Sequence, residues 1–211
     1  VEEVITFKQY LEEQRMDTLV YAFGRYSPPT RGHITHFHAV REYARKNGFR
    51  YELYVSKTVD NKKNPIPVED KIAYIKKAAP EMLPANPATN MFSIVEGLAN
   101  SPIKRLVYFA GGDYFEEGNP DRQMFSRLEA FAAEKGITLS VQSSGERSGG
   151  ISGTALRQAA MNDDFETFLK ASPIGMGRIT EKDVRYMFEL TKRGLAAPAT
   201  PAPKRVKKPV V

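Results

Sequence analysis

The chain has 211 residues, 41% hydrophobic and 27% charged, with 31 basic and 25 acidic side chains and a net charge of +6. That composition suits a globular domain with a sizeable core, and the absence of cysteine excludes disulfides, thiolate nucleophiles and Cys-ligated metals. No stretch approaches the ~18–20 consecutive apolar residues of a membrane span. The opening VEEVITFKQYLEEQ is acidic and amphipathic where a secretory signal is basic and then apolar. A cytoplasmic location without a membrane partner is therefore expected. Val1 in place of an initiator Met reads as a chain processed or excised from something longer.

Residues 1–16 are expected to form an N-terminal helical segment. Residues 19–23 (LVYAF), 51–55 (YELYV) and 105–110 (RLVYFA) are short apolar runs rich in β-branched or aromatic residues, which suits buried strands. Residues 90–92 and 137–141 are weaker strand candidates. Between them, Ile34, Phe37, Val40 and Ala44 fall on one helical face that ends at Gly48. Val68, Ile72, Ile75 and Ala79 form a second face, stopped by Pro80, and Met124, Leu128, Phe131 and Ala132 a third, closed by Gly136. Asp163 and Asp164 read as the N-terminal feature of another helix. Thr180 reads as the cap of a last helix that runs to about Arg193, with Gly194 ending it. Strands alternating with helices predict an α/β fold, a Rossmann-like parallel sheet of about five strands flanked by helices. The expected division is a domain over 17–172, a C-terminal helix over 173–195 packed on it, and a flexible tail over 196–211.

The tail carries much of the net charge. Residues 196–211 hold Lys204, Arg205, Lys207 and Lys208 and no acid, which leaves 27 basic and 25 acidic residues in the body. Pro198, Pro201, Pro203 and Pro209 make the tail a linker or arm that cannot bury enough apolar surface to fold. Protein or nucleic-acid contact is expected there and not on the nearly neutral body. The oligomeric state is not legible.

Two segments at strand ends carry the chemistry. The first strand runs into Gly24, Arg25, Tyr26, Ser27, Pro28, Pro29, Thr30, Arg31, Gly32 and His33 and then into a helix. Such a turn aims a helix amino terminus across the strand end, where it attracts phosphate, and His33 in the first helical turn can donate to a bound anion. Beyond the fifth strand, Gly149 and Gly150 precede Ile151, Ser152, Gly153, Thr154, Ala155, Leu156 and Arg157. Ser152 suits a helix N-cap, and Arg157 lies a turn and a half along, within reach of a phosphate at the helix start. Each segment alone is also compatible with an ordinary capped helix.

Together the two segments resemble the nucleotidyltransferase superfamily of nicotinamide mononucleotide adenylyltransferase, phosphopantetheine adenylyltransferase and the small cytidylyltransferases. That family carries (H/T)-x-G-H after strand one and I-S-x-T-x-x-R after strand five; here they read Thr30, Arg31, Gly32, His33 and Ile151, Ser152, Gly153, Thr154, Ala155, Leu156, Arg157. Gly111, Gly112 and Asp113 are similar to the family's G-x-D turn, with Gly112 where Ser is usual. Residues 56–65 with 69–72 look most like small members encoded by bacteriophages. The resemblance covers about residues 17–172.

It implies attack by a phosphate or hydroxyl of a small-molecule acceptor on the α-phosphorus of an NTP, with pyrophosphate released and no covalent intermediate. His33, Thr30 and Arg157 would be the catalytic set. Gly24, Arg25, Tyr26, Ser27, Gly32, Gly112, Asp113, Ile151, Ser152 and Thr154 would bind the nucleotide. Lys57, Lys62 and Lys63, after the second strand, are candidates for phosphate or acceptor contacts. ATP is favoured over CTP, and Mg²⁺ would be held mainly through the nucleotide phosphates, with no protein ligand assigned. A catalytically silent relative with a structural role, such as a virion or assembly component, is the competing function. His33, His36 and His38 invite a metal reading, but only the first two share a helical face and no carboxylate or cysteine accompanies them at ligand spacing. Tyr21, Tyr51, Tyr54 and Tyr108 are expected to pack in the sheet.

Overall fold

A computed structural model describes residues 17–82, 85–111, 121–143 and 152–198. The expectations for 1–16, for Gly112, Asp113 and Ile151 and for most of the tail lie outside the described residues. The strands are β1 (Thr18–Gly24), β2 (Arg50–Ser56), β3 (Ala85–Ala88), β4 (Arg105–Ala110) and β5 (Thr138–Ser143). They form one sheet in the order β3-β2-β1-β4-β5, and every neighbouring pair is parallel. The helices are α1 (Arg31–Asn47), α2 (Val68–Ala78), α3 (Met91–Leu98), α4 (Asp121–Glu134), α5 (Gly153–Met161), α6 (Phe165–Ala171) and α7 (Glu181–Ala196). The fold is Rossmann-like.

Alternation along the strands sorts the core into two layers. Val20, Ala22, Leu53, Val55, Val107 and Phe109 face one way, onto α1, α2, α5, α6 and α7; Leu19, Tyr21, Tyr54, Leu106 and Leu139 face the other, onto α3 and α4. Strands with helices on both faces bury both sets of side chains, which is why β1 reads as an unbroken apolar run. Ile34, Phe37, Val40 and Ala44 form the buried face of α1, and Gly48 closes that helix in the left-handed conformation at φ 69. Val184, Met187 and Phe188 of α7 belong to the same core as α5 and α6. Tyr21, fully buried, packs against Tyr54 and Tyr108 with ring centroids 6.0 and 5.3 Å away.

Two sequence expectations need correction. Residues 90–92 are not a strand. Asn90 caps α3, its side chain accepting from the Ser93 N–H at 2.9 Å, and Met91, Ile94 and Val95 form that helix's buried face. The third strand lies earlier, at Ala85–Ala88, on the edge of the sheet, where Pro87 is tolerated because one side of an edge strand needs no ladder bond. The last helix does not end at Gly194 but continues to Ala196, so the expected tail begins inside α7. Gly194 is an interior residue there for a packing reason: a Cβ would collide with the Pro65 carbonyl. Asn61 Nδ2 also donates to Ala197 O at 3.0 Å, holding the end of α7 to the β2–α2 loop.

Candidate functional site

The chain leaves β3 at one edge and returns through β4 on the far side of β1, so the strand order reverses between β1 and β4. In open α/β sheets the crevice at the carboxyl ends of such strands is where ligands bind. A cleft of about 400 Å³ opens there, lined from β1 by Phe23 and Gly24 and from β4 by Tyr108, Phe109 and Gly111. Arg25, Tyr26, Ser27, Thr30, Gly32 and His33 line it from the turn after β1, and Ser152, Thr154 and Arg157 from the start of α5. Two segments more than a hundred residues apart in sequence thus share one cavity.

The turn is shaped by crowding around Tyr26. That residue has φ 45, a left-handed conformation that is costly for a bulky side chain and persists only where its surroundings fix it. Its ring lies edge-on to His33 at 5.1 Å and to Phe37 at 4.9 Å, and burial pushes its hydroxyl pKa well up. A Cβ on Gly24 would sit 2.7 Å from that ring, so the packing of Tyr26 by itself requires a glycine there. The Ser27–Pro28 peptide is cis.

Thr30 and His33 form a reciprocal cap at the start of α1. Thr30 Oγ1 accepts from the His33 N–H at 3.2 Å, and His33 Nδ1 accepts from the Thr30 N–H at 3.0 Å. A ring nitrogen that accepts from a backbone N–H carries no proton, so the neutral imidazole holds its proton on Nε2. Thr30 is buried and its hydroxyl lies 3.1 Å from the same Nδ1, so its contribution is to fix the ring of His33.

Across the cleft, Ser152 caps α5 by accepting from the Ala155 N–H at 3.3 Å. Arg157 reaches back over that turn, with Nη2 donating to Thr154 Oγ1 and Nη1 to Ser27 O, both at 2.9 Å. Gly153 leaves room for it, because a Cβ there would stand 3.3 Å from Nη1. Burial first, and then the neighbouring Arg25, lower the Arg157 pKa, with Asp60 acting in the opposite sense. Two guanidinium groups close enough to oppose each other's charge mark a place where an anion is favoured. Neither α1 nor α5 has an acid in its first turn, whereas α2, α6 and α7, which open elsewhere, all do. The positive ends of α1 and α5 are therefore left for whatever enters the cleft. Among the described residues that line it, none is acidic.

The loop lysines lie elsewhere. Lys57 lines a separate depression of about 350 Å³ between the end of β2, β3 and α3, with Tyr54, Asn86, Thr89 and Ser93. Lys62 and Lys63 are exposed, and their backbone N–H groups donate to Asp60 Oδ1 at 2.8 and 2.6 Å. Burial alone would raise the Asp60 pKa. The N–H groups of Lys63, Lys62 and Asn64, with Arg25, outweigh it and hold the carboxyl below its usual value.

Sequence reasoning missed four polar residues here. Arg31 and His36 line the cleft beside His33; His36 was legible as the i+3 neighbour of His33 on one helical face, while His38 points away to Glu81 at 3.1 Å. Lys170 enters the cleft from α6, for which no local pattern gave a signal. Lys71 is fully buried beneath the β2–α2 loop and donates to Ser56 O at 2.7 Å and Asn64 Oδ1 at 2.8 Å. Its place three residues after Val68 and four before Ile75, on the apolar face of α2, was a usable sign.

No protein-family model matches the sequence, and neither does any curated protein. A likeness exists at the level of structure. The chain is similar to Thermotoga maritima TmcAL, in a crystal structure bound with alpha-thio ATP, at a TM-score of 0.50 and 16% sequence identity. The match covers 84% of this chain and 56% of that one, so the chain spans little more than half of TmcAL's length. At this identity the likeness is one of fold.

Proposed function

We propose that the chain is a nucleotidyltransferase. It transfers a nucleoside monophosphate, AMP in preference to CMP, from an NTP to a phosphorylated or hydroxyl small-molecule acceptor. The observation that carries this reading is the bond from Arg157 to Ser27 O, which unites both motif segments around one cleft with two helix amino termini and, among the described residues, no lining acid. A site lined by three guanidiniums, those of Arg25, Arg31 and Arg157, with two helix dipoles and a neutral imidazole donor suits a triphosphate better than a singly charged ligand. The ATP analogue held by TmcAL points the same way.

The acceptor oxygen attacks the α-phosphorus in line, the bond to the α,β-bridging oxygen breaks, and pyrophosphate leaves with the electron pair. A hydroxyl acceptor also gives up its proton, which passes to water or to the departing pyrophosphate; a phosphate acceptor is already ionised. Catalysis of such a step is chiefly alignment and stabilisation of charge on the equatorial and leaving oxygens. His33 donates from Nε2 to an α-phosphoryl oxygen, with Thr30 fixing its tautomer and ring angle. Arg157, Ser152, Thr154 and the free N–H groups at the start of α5 hold the β- and γ-phosphates, and Arg25 adds charge at the mouth. Among the described residues the groups lining the cleft are cationic or neutral, and Mg²⁺ would be carried mainly by phosphate oxygens and water, supplying charge neutralisation there. Each NTP with Mg²⁺ and a panel of phosphorylated and hydroxyl acceptors, followed by pyrophosphate release, tests the reading. Release with one pair is expected; NTP binding with no release from any pair would favour the catalytically silent alternative.

A further inference from the structure

The β2–α2 loop, residues 57–67, sends no side chain into the cleft, yet it is bonded to the turn on which Arg157 rests. Asn64 is fully buried at its centre. The amide of Asn64 donates to Ser56 Oγ at 3.4 Å, to Thr58 Oγ1 at 3.3 Å and to Thr58 O, while its Oδ1 accepts from Lys71 Nζ. Two residues on, the Ile66 N–H donates to Ser27 Oγ at 3.2 Å. Ser27 O in turn accepts from Arg157 Nη1. A short path therefore runs from the buried Lys71, Asn64, Ile66 and Ser27 to the half-buried Arg157.

Burying an ammonium carries a desolvation penalty, and an apolar side chain of similar volume on the same face of α2 would avoid it. One use for such a group, known in some proteins, is to select one arrangement over its alternatives. Here the arrangement selected is that of the loop. Lys71 gathers the end of β2 through Ser56 O and the loop through Asn64, and α7 closes over the neighbouring Pro65 at Gly194. Between these two anchors, the Ile66 N–H is held against Ser27 Oγ.

We propose that Asn64 and Lys71 are positioning residues for Arg157. They lock residues 64–66, which hold Ser27 so that its carbonyl aims the guanidinium into the cleft. The consequence for triphosphate binding rests on the function proposed above; the positioning itself does not.

The test reads Arg157 directly. The full chain is treated with phenylglyoxal, which modifies accessible guanidiniums, and labelling of each arginine is followed by peptide mass spectrometry. Arg157 should react several-fold faster in Lys71→Met, Asn64→Ala and Ser27→Ala than in wild type. Arg31, which lines the same cleft but is anchored to Ile174 O at 2.8 Å, should keep its rate. Equal acceleration of both arginines, which general loosening would produce, or no acceleration of Arg157, overturns the proposal. Should Asn64→Ala fail to fold, Ser27→Ala decides, since it removes only the oxygen that Ile66 bonds. Calorimetry with inorganic tripolyphosphate separates the two readings: binding weakened in the same variants supports both. Selective labelling of Arg157 in a protein whose wild type binds no tripolyphosphate supports the positioning and counts against the proposed function.

Discussion

Arg157 donates from Nη1 to the carbonyl oxygen of Ser27 at 2.9 Å, a bond between residues 130 positions apart that brings the start of α5 against the turn after β1. Because the other guanidinium nitrogen holds Thr154, the plane of the group is set by two protein acceptors before any ligand arrives. A preset guanidinium loses little freedom on binding an anion.

Replacing it should therefore be selective. Arg157→Ala is expected to weaken ATP binding by ~10- to 100-fold, the range for losing a hydrogen bond to a charged group, while AMP binding changes little. Calorimetry with both nucleotides checks this, and equal losses would remove Arg157 from the β,γ-phosphates.

His33 and Thr30 should separate into donor and support. His33→Ala is expected to slow turnover by ~10²–10³, the cost of removing one transition-state donor, and to leave nucleotide affinity nearly intact. Thr30→Ala removes the cap of α1, for which ~1 kcal/mol of stability is expected. It should also lower kcat more than it raises KM, because the His33 ring loses one of its anchors. Steady-state kinetics and denaturant unfolding give both numbers; a Thr30 variant that loses stability but keeps its full kcat would contradict the role.

Lys71 gives a pH signature. Burial lowers its pKa from 10.5 to about 8, against the opposing pull of Glu69 and Asp60. Below pH 8 the folded and unfolded chains both hold the proton, and the desolvation cost is present in full. Between pH 8 and 10.5 the unfolded chain holds more protons, so this residue's contribution to stability rises with pH, by up to ~1.4 kcal/mol per pH unit. The difference in unfolding free energy between wild type and Lys71→Met should move by that slope across the interval; parallel curves would mean that the lysine is not perturbed.

Gly194 sets helix propensity against packing. Glycine to alanine inside a helix favours folding by ~1 kcal/mol on propensity alone. At this site the added methyl meets the Pro65 carbonyl, and overpacking of that kind typically costs ~1–3 kcal/mol. Net destabilisation by Gly194→Ala is expected in thermal or denaturant unfolding, and a more stable variant would show that α7 does not press on residues 64–66.

The sheet was legible because parallel strands buried on both faces write themselves as continuous apolar runs, as β1 and β4 do, and because Gly48 and Gly136 mark where α1 and α4 stop. β3 escaped because an edge strand of sequence ANPA carries neither length nor apolar character, and the apolar residues just after it belong to α3. In the candidate site, Thr30, His33, Ser152, Thr154 and Arg157 could be found since they sit at helix starts, which leave local sequence marks. Lys170 and the path through Asn64 and Ile66 could not, because they exist only where separate elements meet. Gly24 was legible as special, but its reason, the ring of Tyr26 folded over it, was not.

In the proposed nucleotidyl transfer, bond cleavage falls between the α- and β-phosphates. It is tested most directly by giving the protein, with Mg²⁺ and its active acceptor, ATP labelled either at the α- or at the γ-phosphate. The α label is expected on the acceptor and the γ label in pyrophosphate, with both signals reduced ~10²–10³-fold in His33→Ala. Recovery of the γ label as orthophosphate or on the acceptor, with the α label retained in ADP, would contradict it.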